Sequence, residues 1–394
     1  MPKHRPRKKT KGAKKHSEPA FTGVVRDLTS DGLGVVEHPD GRVFFVAGVW
    51  PGETVEVRPV GRRGKAFLGQ PATVIGADPE RRVAPCGHHG ISDRHCGGCP
   101  WMFMAYDAQC SAKFQRLQRV LADLASPGTQ VDPLLRAPEE LGYRNRAQFK
   151  TDGRQLGYVA AGTHQLVDVD ACPILTTGAA QHLATLRSQL PNPDWQRKKG
   201  AGNPWLTLAV DDDLAEHSEG RRFGFRQGNT AQNQRMREWL ANTTAPLPAH
   251  WQVLELFAGT GNFTGLLAQH FNHVVALEGD QQAALTLQEK LGAGVAVEST
   301  DLFVAKNVTA IAQLYSDTQL LVLDPPRDGL PVREPLIEGL AQLRAVIYIS
   351  CNAATWRRDC LDFLAAGFEL DRVTPVDLFP QTSHLEILSL LVRR

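Results

Sequence analysis

The chain has 394 residues, of which 42% are hydrophobic and 22% charged, and its formal net charge is +2. These proportions fit a globular protein of two or three domains and exclude a fibrous or wholly disordered chain. No apolar run reaches the length of a membrane span and no apolar leader core is present, so a cytoplasmic monomer with no membrane partner is expected.

Charge is distributed unevenly. The stretch MPKHRPRKKTKGAKKHS (1–17) carries eight Lys or Arg side chains and no acid. Without those eight, 36 basic side chains face 42 acidic ones. Residues 1–19 cannot bury a core and read as a disordered basic tail, either a phosphate-binding arm or a solubilising segment. Residues 20–76 read as five short strands: FTGVVRDL, GLGVVEH, RVFFVAGV, ETVEVRPV and LGQPATVIG. Turn signals at Ser30-Asp31-Gly32 and Pro39-Asp40-Gly41 separate them. So many strands in so short a span predict a small closed barrel, either a binder of single-stranded RNA or a plain structural domain.

Residues 77–222 read as a central α+β domain. It opens with a cysteine-rich loop, continues with a helix from Tyr106 to about Leu124, and then turns to strand-like pieces. Within it, YRNRAQFK (143–150) interleaves Arg144, Arg146 and Lys150 with Tyr143 and Phe149. Cations and rings in that arrangement suit RNA phosphates and bases, or form a solvated strand face. From 223 to 394 apolar strands alternate with amphipathic helices, which predicts a parallel sheet covered on both faces. The last two strands, ELDRVTPVDLF and HLEILSLLVRR, have no helix between them and predict an antiparallel edge.

The first strand of this series runs into a glycine turn, LELFAGTGNFT (254–264). Gly259 and Gly261 let the backbone turn tightly and approach a ligand, with Phe257 leading into the turn. Glu278, at the end of the next strand, is placed to bind ribose hydroxyls. Asp301, after the third, is placed to meet an adenine amine. The spacing of a pyrophosphate-binding turn is absent. S-adenosylmethionine, which has no phosphate, fits better.

Two further strand ends carry chemistry. LVLDPPRDGL (321–330) ends in Asp324, and VIYISCNAATWRRD (346–359) places Cys351 just before a helix. Both should reach the crevice at the carboxyl ends of the strands, where the glycine turn also lies. A thiolate adding to C6 of a pyrimidine makes C5 nucleophilic enough to take a methyl group. Such a cysteine needs a lowered pKa, for which a helix N-terminus is suitable. The C5 proton must then be removed by a base. Glu386 interrupts the apolar strand LEILSLL, where a carboxylate is costly without a task, and His384 falls on its face. Cys110 and Cys360 sit in helical patterns and read as core.

Together these segments resemble the RNA uracil-C5 methyltransferases, closest to the branch that makes 5-methyluridine in 23S ribosomal RNA. FRQGN (225–229), AGTGNFT, DPPRDGL, SCNAAT and FPQTSHLE match that family's motifs in order. The resemblance implies a Rossmann-like methyltransferase fold at 223–394 and a TRAM RNA-binding barrel at 20–76. It also implies Cys351 as nucleophile, Glu386 as base, Asp324 at the uracil edge and Gln227 on S-adenosylmethionine. The same chemistry on the T-loop of transfer RNA, or a non-catalytic RNA-binding factor, are the competing expectations.

Cys86, Cys96, Cys99 and Cys172 resemble the [4Fe–4S] ligands of the ribosomal branch, although four thiolates also suit zinc. The gap between Cys86 and Cys96 is the nine residues GHHGISDRH, longer than the family's. It brings in His88, His89 and His95, so a zinc or histidine-containing site stays open.

Overall fold

A computed structural model describes residues 18–197, 204–212 and 227–394. The basic tail to residue 17 and Phe225 of FRQGN lie outside the described residues. The chain forms two compact units that divide after Arg81.

The first unit is a closed barrel. Its strands are β1 (Phe21–Leu28), β2 (Gly34–Glu37), β3 (Val43–Val46), β4 (Thr54–Arg63) and β5 (Ala66–Gly76), in the order β1-β2-β3-β5-β4. Alternation builds it: Val25, Val36, Phe44, Val46, Val55 and Val57 point inward and are buried, while their neighbours face out. The five strands read from the sequence are present, and they close.

The second unit begins with the cysteine loop and α1 (Tyr106–Leu121). β6 (Gln130–Val131), β7 (Arg146–Thr151), β8 (Leu156–Val159), β9 (Leu166–Asp168), α2 (Thr177–Ser188) and β10 (Leu206–Asp211) follow. The order β10-β7-β8-β9 gives a four-stranded sheet. Its core includes Phe149, Leu156, Trp195, Leu208 and Val210. Tyr143 and Phe149 are therefore not free stacking platforms, because both rings are buried. Two cations of this stretch also have partners: Arg146 pairs with Asp211 at 3.4 Å, and Lys150 donates to Thr207.

The remaining elements are α3 (Thr230–Thr244), β11 (Gln252–Leu256), α4 (Thr264–His270), β12 (His273–Glu278), α5 (Gln281–Leu291) and β13 (Ala296–Ser299). They continue with α6 (Ala305–Leu314), β14 (Leu320–Leu323), α7 (Glu334–Gly339), β15 (Ala345–Ser350), α8 (Ala353–Ala365), β16 (Glu369–Val376) and β17 (Glu386–Val392). They form the sheet β13-β12-β11-β14-β15-β17-β16-β6. Its central strands are apolar on both faces over most of their length because they feed two cores. Leu254, Leu321 and Val346 face one core, while Val253, Val322 and Ile347 face the other. Cys110 and Cys360 are buried in α1 and α8, as expected.

The C-terminal strands differ from the expected edge. β17 is antiparallel but lies inside the sheet, between β15 and β16. The outermost strand is β6, contributed by the region before residue 222 and parallel to β16. The described residues from Arg82 to Arg394 form one compact unit.

Candidate active site

The turn after β11 has left-handed backbone at Phe257 (φ 64°), Gly259 (φ 57°) and Gly261 (φ 84°). A Cβ at Gly261 would stand 2.4 Å from Leu287 Cδ1, so the glycine lets α5 close on the turn. The Gly259 N–H donates to Glu278 Oε2 at 2.7 Å, and the Asp280 N–H to Oε1 at 2.8 Å. Glu278 is thus pinned, with lone pairs left for hydroxyls. Asp301 accepts the Phe303 N–H at 2.9 Å. Phe303 is exposed and meets Phe257 edge-on, with ring centroids 6.2 Å apart. The sequence reading passed over Phe303; an aromatic two residues after Asp301 was the available signal. Gln227 is buried, and its carbonyl accepts from Asn145 Nδ2 at 3.2 Å. Two residues on, Asn229 caps α3 by accepting the Gln232 N–H. α3 was also missed, because its buried positions are few among polar residues.

Strand register brings the candidate side chains together. Leu323 pairs with Tyr348 across β14 and β15, and Ser350 pairs with Ile387 across β15 and β17. Asp324 and Cys351 therefore leave neighbouring parallel strands at the same edge, and Glu386 enters β17 beside them. The loop holding Asp324 is tied to α8: Asn352 Nδ2 and Thr355 Oγ1 both donate to the Arg327 carbonyl, at 2.9 and 3.1 Å. The Arg327 guanidinium lies 3.1 Å from His384 Nε2. His384 itself precedes β17 rather than lying within it.

Electrostatics link these groups. Burial pushes the Cys351 thiol up to about 11, Glu386 and Asp324 add to the rise, and Arg327 opposes it. This is opposite to the expected lowering. The helix cap is Asn352, which accepts the Ala354 N–H, and the thiol lies before it, half-buried and within the field of the Glu386 and Asp324 carboxyls. Burial also raises Glu386 well above the ordinary carboxylate range, with Asp324 adding and Arg327 opposing. Burial alone raises Asp324 to about 7. Glu255, one strand inward on β11, was not singled out in the sequence. It is buried, its Oε2 has no partner among the described residues, and burial raises it to about 8.

The model of the tRNA (Uracil-5-)-methyltransferase family matches residues 207–291 and 306–394. An RNA methyltransferase of Nitrosomonas europaea is 37% identical over 93% of this chain and 95% of its own length. The 23S rRNA (uracil(1939)-C(5))-methyltransferase RlmD of Pseudomonas entomophila is 31% identical over 93% of this chain and 92% of its own. The chain belongs to the RNA uracil-C5 methyltransferases. The fold of this methyltransferase is also that of the Pyrococcus abyssi tRNA (uracil-54, C5)-methyltransferase solved with S-adenosyl-L-homocysteine. That structure has a TM-score of 0.70 at 19% identity, covering 94% of this chain and 99% of the other.

Away from this centre, the methyltransferase has a cavity of about 170 Å³ lined by Cys86, Cys96, Cys99 and Cys172, together with Arg144 and Tyr158. Burial raises the Cys99 thiol and raises Cys172 to about 11; neighbouring cysteines add to both. Among the described residues no three His, Cys, Asp or Glu side chains are grouped closely enough to hold one metal ion. His88 instead contacts Asp170 at 2.5 Å.

Proposed function

We propose that this protein transfers a methyl group from S-adenosylmethionine to C5 of a uridine in 23S ribosomal RNA. The observation that carries this reading is the convergence of Cys351, Glu386 and Asp324 on one sheet edge, beside the glycine turn of β11. Relatives that share most of the chain's length and are named for 23S ribosomal RNA favour that substrate over transfer RNA.

Gln227, Phe257, Gly259, Gly261, Glu278 and Asp301 would hold S-adenosylmethionine, which supplies an electrophilic methyl group. Cys351 loses its proton to solvent, and Sγ bonds to C6 of the uracil. The C5–C6 π pair moves toward the C4 carbonyl, and C5 becomes the nucleophile. Asp324 hydrogen-bonds the uracil edge. Its tendency to stay protonated near neutrality allows it to donate as well as accept. Once C5 carries the methyl group, the Glu386 carboxylate takes the C5 proton. That electron pair restores the C5–C6 double bond, the C6–S bond breaks, and Cys351 leaves as thiolate. Arg327 favours the charged forms of both Cys351 and Glu386. A target uridine must leave its stack to reach this depth.

We assign Cys86, Cys96, Cys99 and Cys172 to a [4Fe–4S] cluster. One zinc ion would draw four sulfurs to within about 4 Å of each other, given bonds of about 2.3 Å. The four thiols line one cavity, and the resemblance to the ribosomal branch favours a polynuclear cluster over zinc. The group would clip residue 172 to the loop 86–99 and take no part in the reaction. The barrel is assigned as a TRAM-like RNA-binding module.

The test is tritium release from [5-³H]uridine-labelled RNA, with 23S ribosomal RNA and a transfer RNA set as separate substrates. Release from ribosomal RNA alone is expected. Release from transfer RNA alone would retain the mechanism and reverse the substrate. No release from either would refute C5 chemistry on these RNAs.

A further inference from the structure

Residues 377–385 form the loop that delivers Glu386 into β17, and neighbouring segments hold it from several directions. From α1, Lys113 donates to the Phe379 carbonyl at 3.2 Å and Arg116 to the Ser383 carbonyl at 2.6 Å. Tyr143 donates to the Pro380 carbonyl at 3.0 Å. The densest contacts fall on Gln381. Its N–H donates to Gln109 Oε1 at 2.9 Å, and its carbonyl accepts the Trp101 N–H at 3.0 Å. Its Oε1 accepts from Gln109 Nε2 at 2.9 Å and from Arg82 at 3.2 Å. Its Nε2 donates to Glu140 Oε2 at 3.1 Å and to the Glu140 carbonyl at 3.2 Å.

Gln381 is fully buried, and its φ of 69° is left-handed backbone that a long side chain rarely adopts. Such a conformation persists only where surrounding contacts over-determine it. Every polar group of Gln381 is engaged, yet none of its partners is among the groups assigned to the chemistry. Asparagine, one methylene shorter, would not span Gln109 and Glu140 together.

We propose that Gln381 is a positioning residue for C5 proton removal, locking the loop so that the Glu386 carboxylate meets the C5 proton. This rests on the reading of Glu386 as the base. Cys351 and the glycine turn hang from other strand ends, so attack at C6 and methyl transfer do not rest directly on the Gln381 contacts. Proton transfer does, because a misplacement near 1 Å can cost roughly 100-fold in rate.

The experiment uses the full chain with 23S ribosomal RNA. It measures the covalent RNA–protein adduct on denaturing gels and the isotope effect with [5-²H]uridine RNA. For Gln381→Ala, turnover should fall roughly 10- to 100-fold. Adduct should build up and the isotope effect should grow, while S-adenosylmethionine affinity is retained. Slower turnover with no adduct and an unchanged isotope effect would overturn the proposal. Should that variant not fold, Glu140→Gln loosens the same anchor from a partly exposed position. It should also enlarge the isotope effect, and an unchanged value counts against the inference. Glu386→Gln separates the two readings. No adduct in Glu386→Gln removes the base assignment itself, whereas adduct there but not in Gln381→Ala removes only the positioning role.

Discussion

Glu255 sits in the middle of β11 with one carboxyl oxygen unpartnered, and burial moves it from an ordinary 4.5 up to about 8. Folding therefore takes up a proton that the unfolded chain releases above pH 4.5. The stability this group contributes is full below that pH and is lost as pH rises through about 8. At about 1.4 kcal/mol per pH unit, the loss is about 3 kcal/mol by pH 7 and approaches about 5 kcal/mol above pH 8. Glu255→Gln cannot ionise. Whatever a buried amide costs there, that cost does not vary with pH, so the difference between the two proteins isolates the titration. Urea unfolding of both proteins without ligand, at intervals from pH 5 to pH 8.5, should show wild type falling relative to the variant by several kcal/mol. Curves that run parallel within about 0.5 kcal/mol would refute the reasoning, since a carboxyl whose charged form is disfavoured by burial must respond to pH.

Cys351→Ala should abolish turnover and adduct formation together; near-normal tritium release would remove the nucleophile. Because burial holds the Cys351 thiol near 11, single-turnover methylation should accelerate from pH 7 to pH 9 as the thiolate fraction grows; a flat profile would exclude thiol ionisation from the rate. Lys113→Met leaves Asp377 buried beside Tyr106 without its cation, only 2.5 Å away in the intact pair, and should cost about 3–5 kcal/mol on urea unfolding. A loss below about 1 kcal/mol would mean the pair is not desolvated. Protein purified without oxygen should carry about four iron atoms; stoichiometric zinc without iron would replace the cluster assignment.

The glycine turn was legible because its signals are local. Glycines at a left-handed turn and an acid at the next strand end follow from backbone geometry over a short span, and both appear where expected. Strand ends could likewise be ordered, since βα alternation places Asp324 and Cys351 on one edge. Tyr143 and Phe149 were ambiguous for the opposite reason. An aromatic ring looks the same in sequence whether it stacks on a base or fills a core, and only the packing decides: Phe149 lies among Leu183, Leu208 and Val210, and Tyr143 beside Met102 and Ile174.

What the sequence by itself determined was the order of most elements, the closed barrel, and the candidate side chains at the strand ends, because periodicity, turn chemistry and motif spacing are written locally. The tertiary structure decided the rest. It inserts β17 between β15 and β16, so a carboxylate that could have faced solvent is buried beside Cys351. It adds β6 at the sheet edge and places α1 against residues 377–385, joining regions that the sequence separates by more than 200 positions. It raises the thiol rather than lowering it, because a pKa follows desolvation and neighbouring charge, and neither exists until the chain has folded around the group.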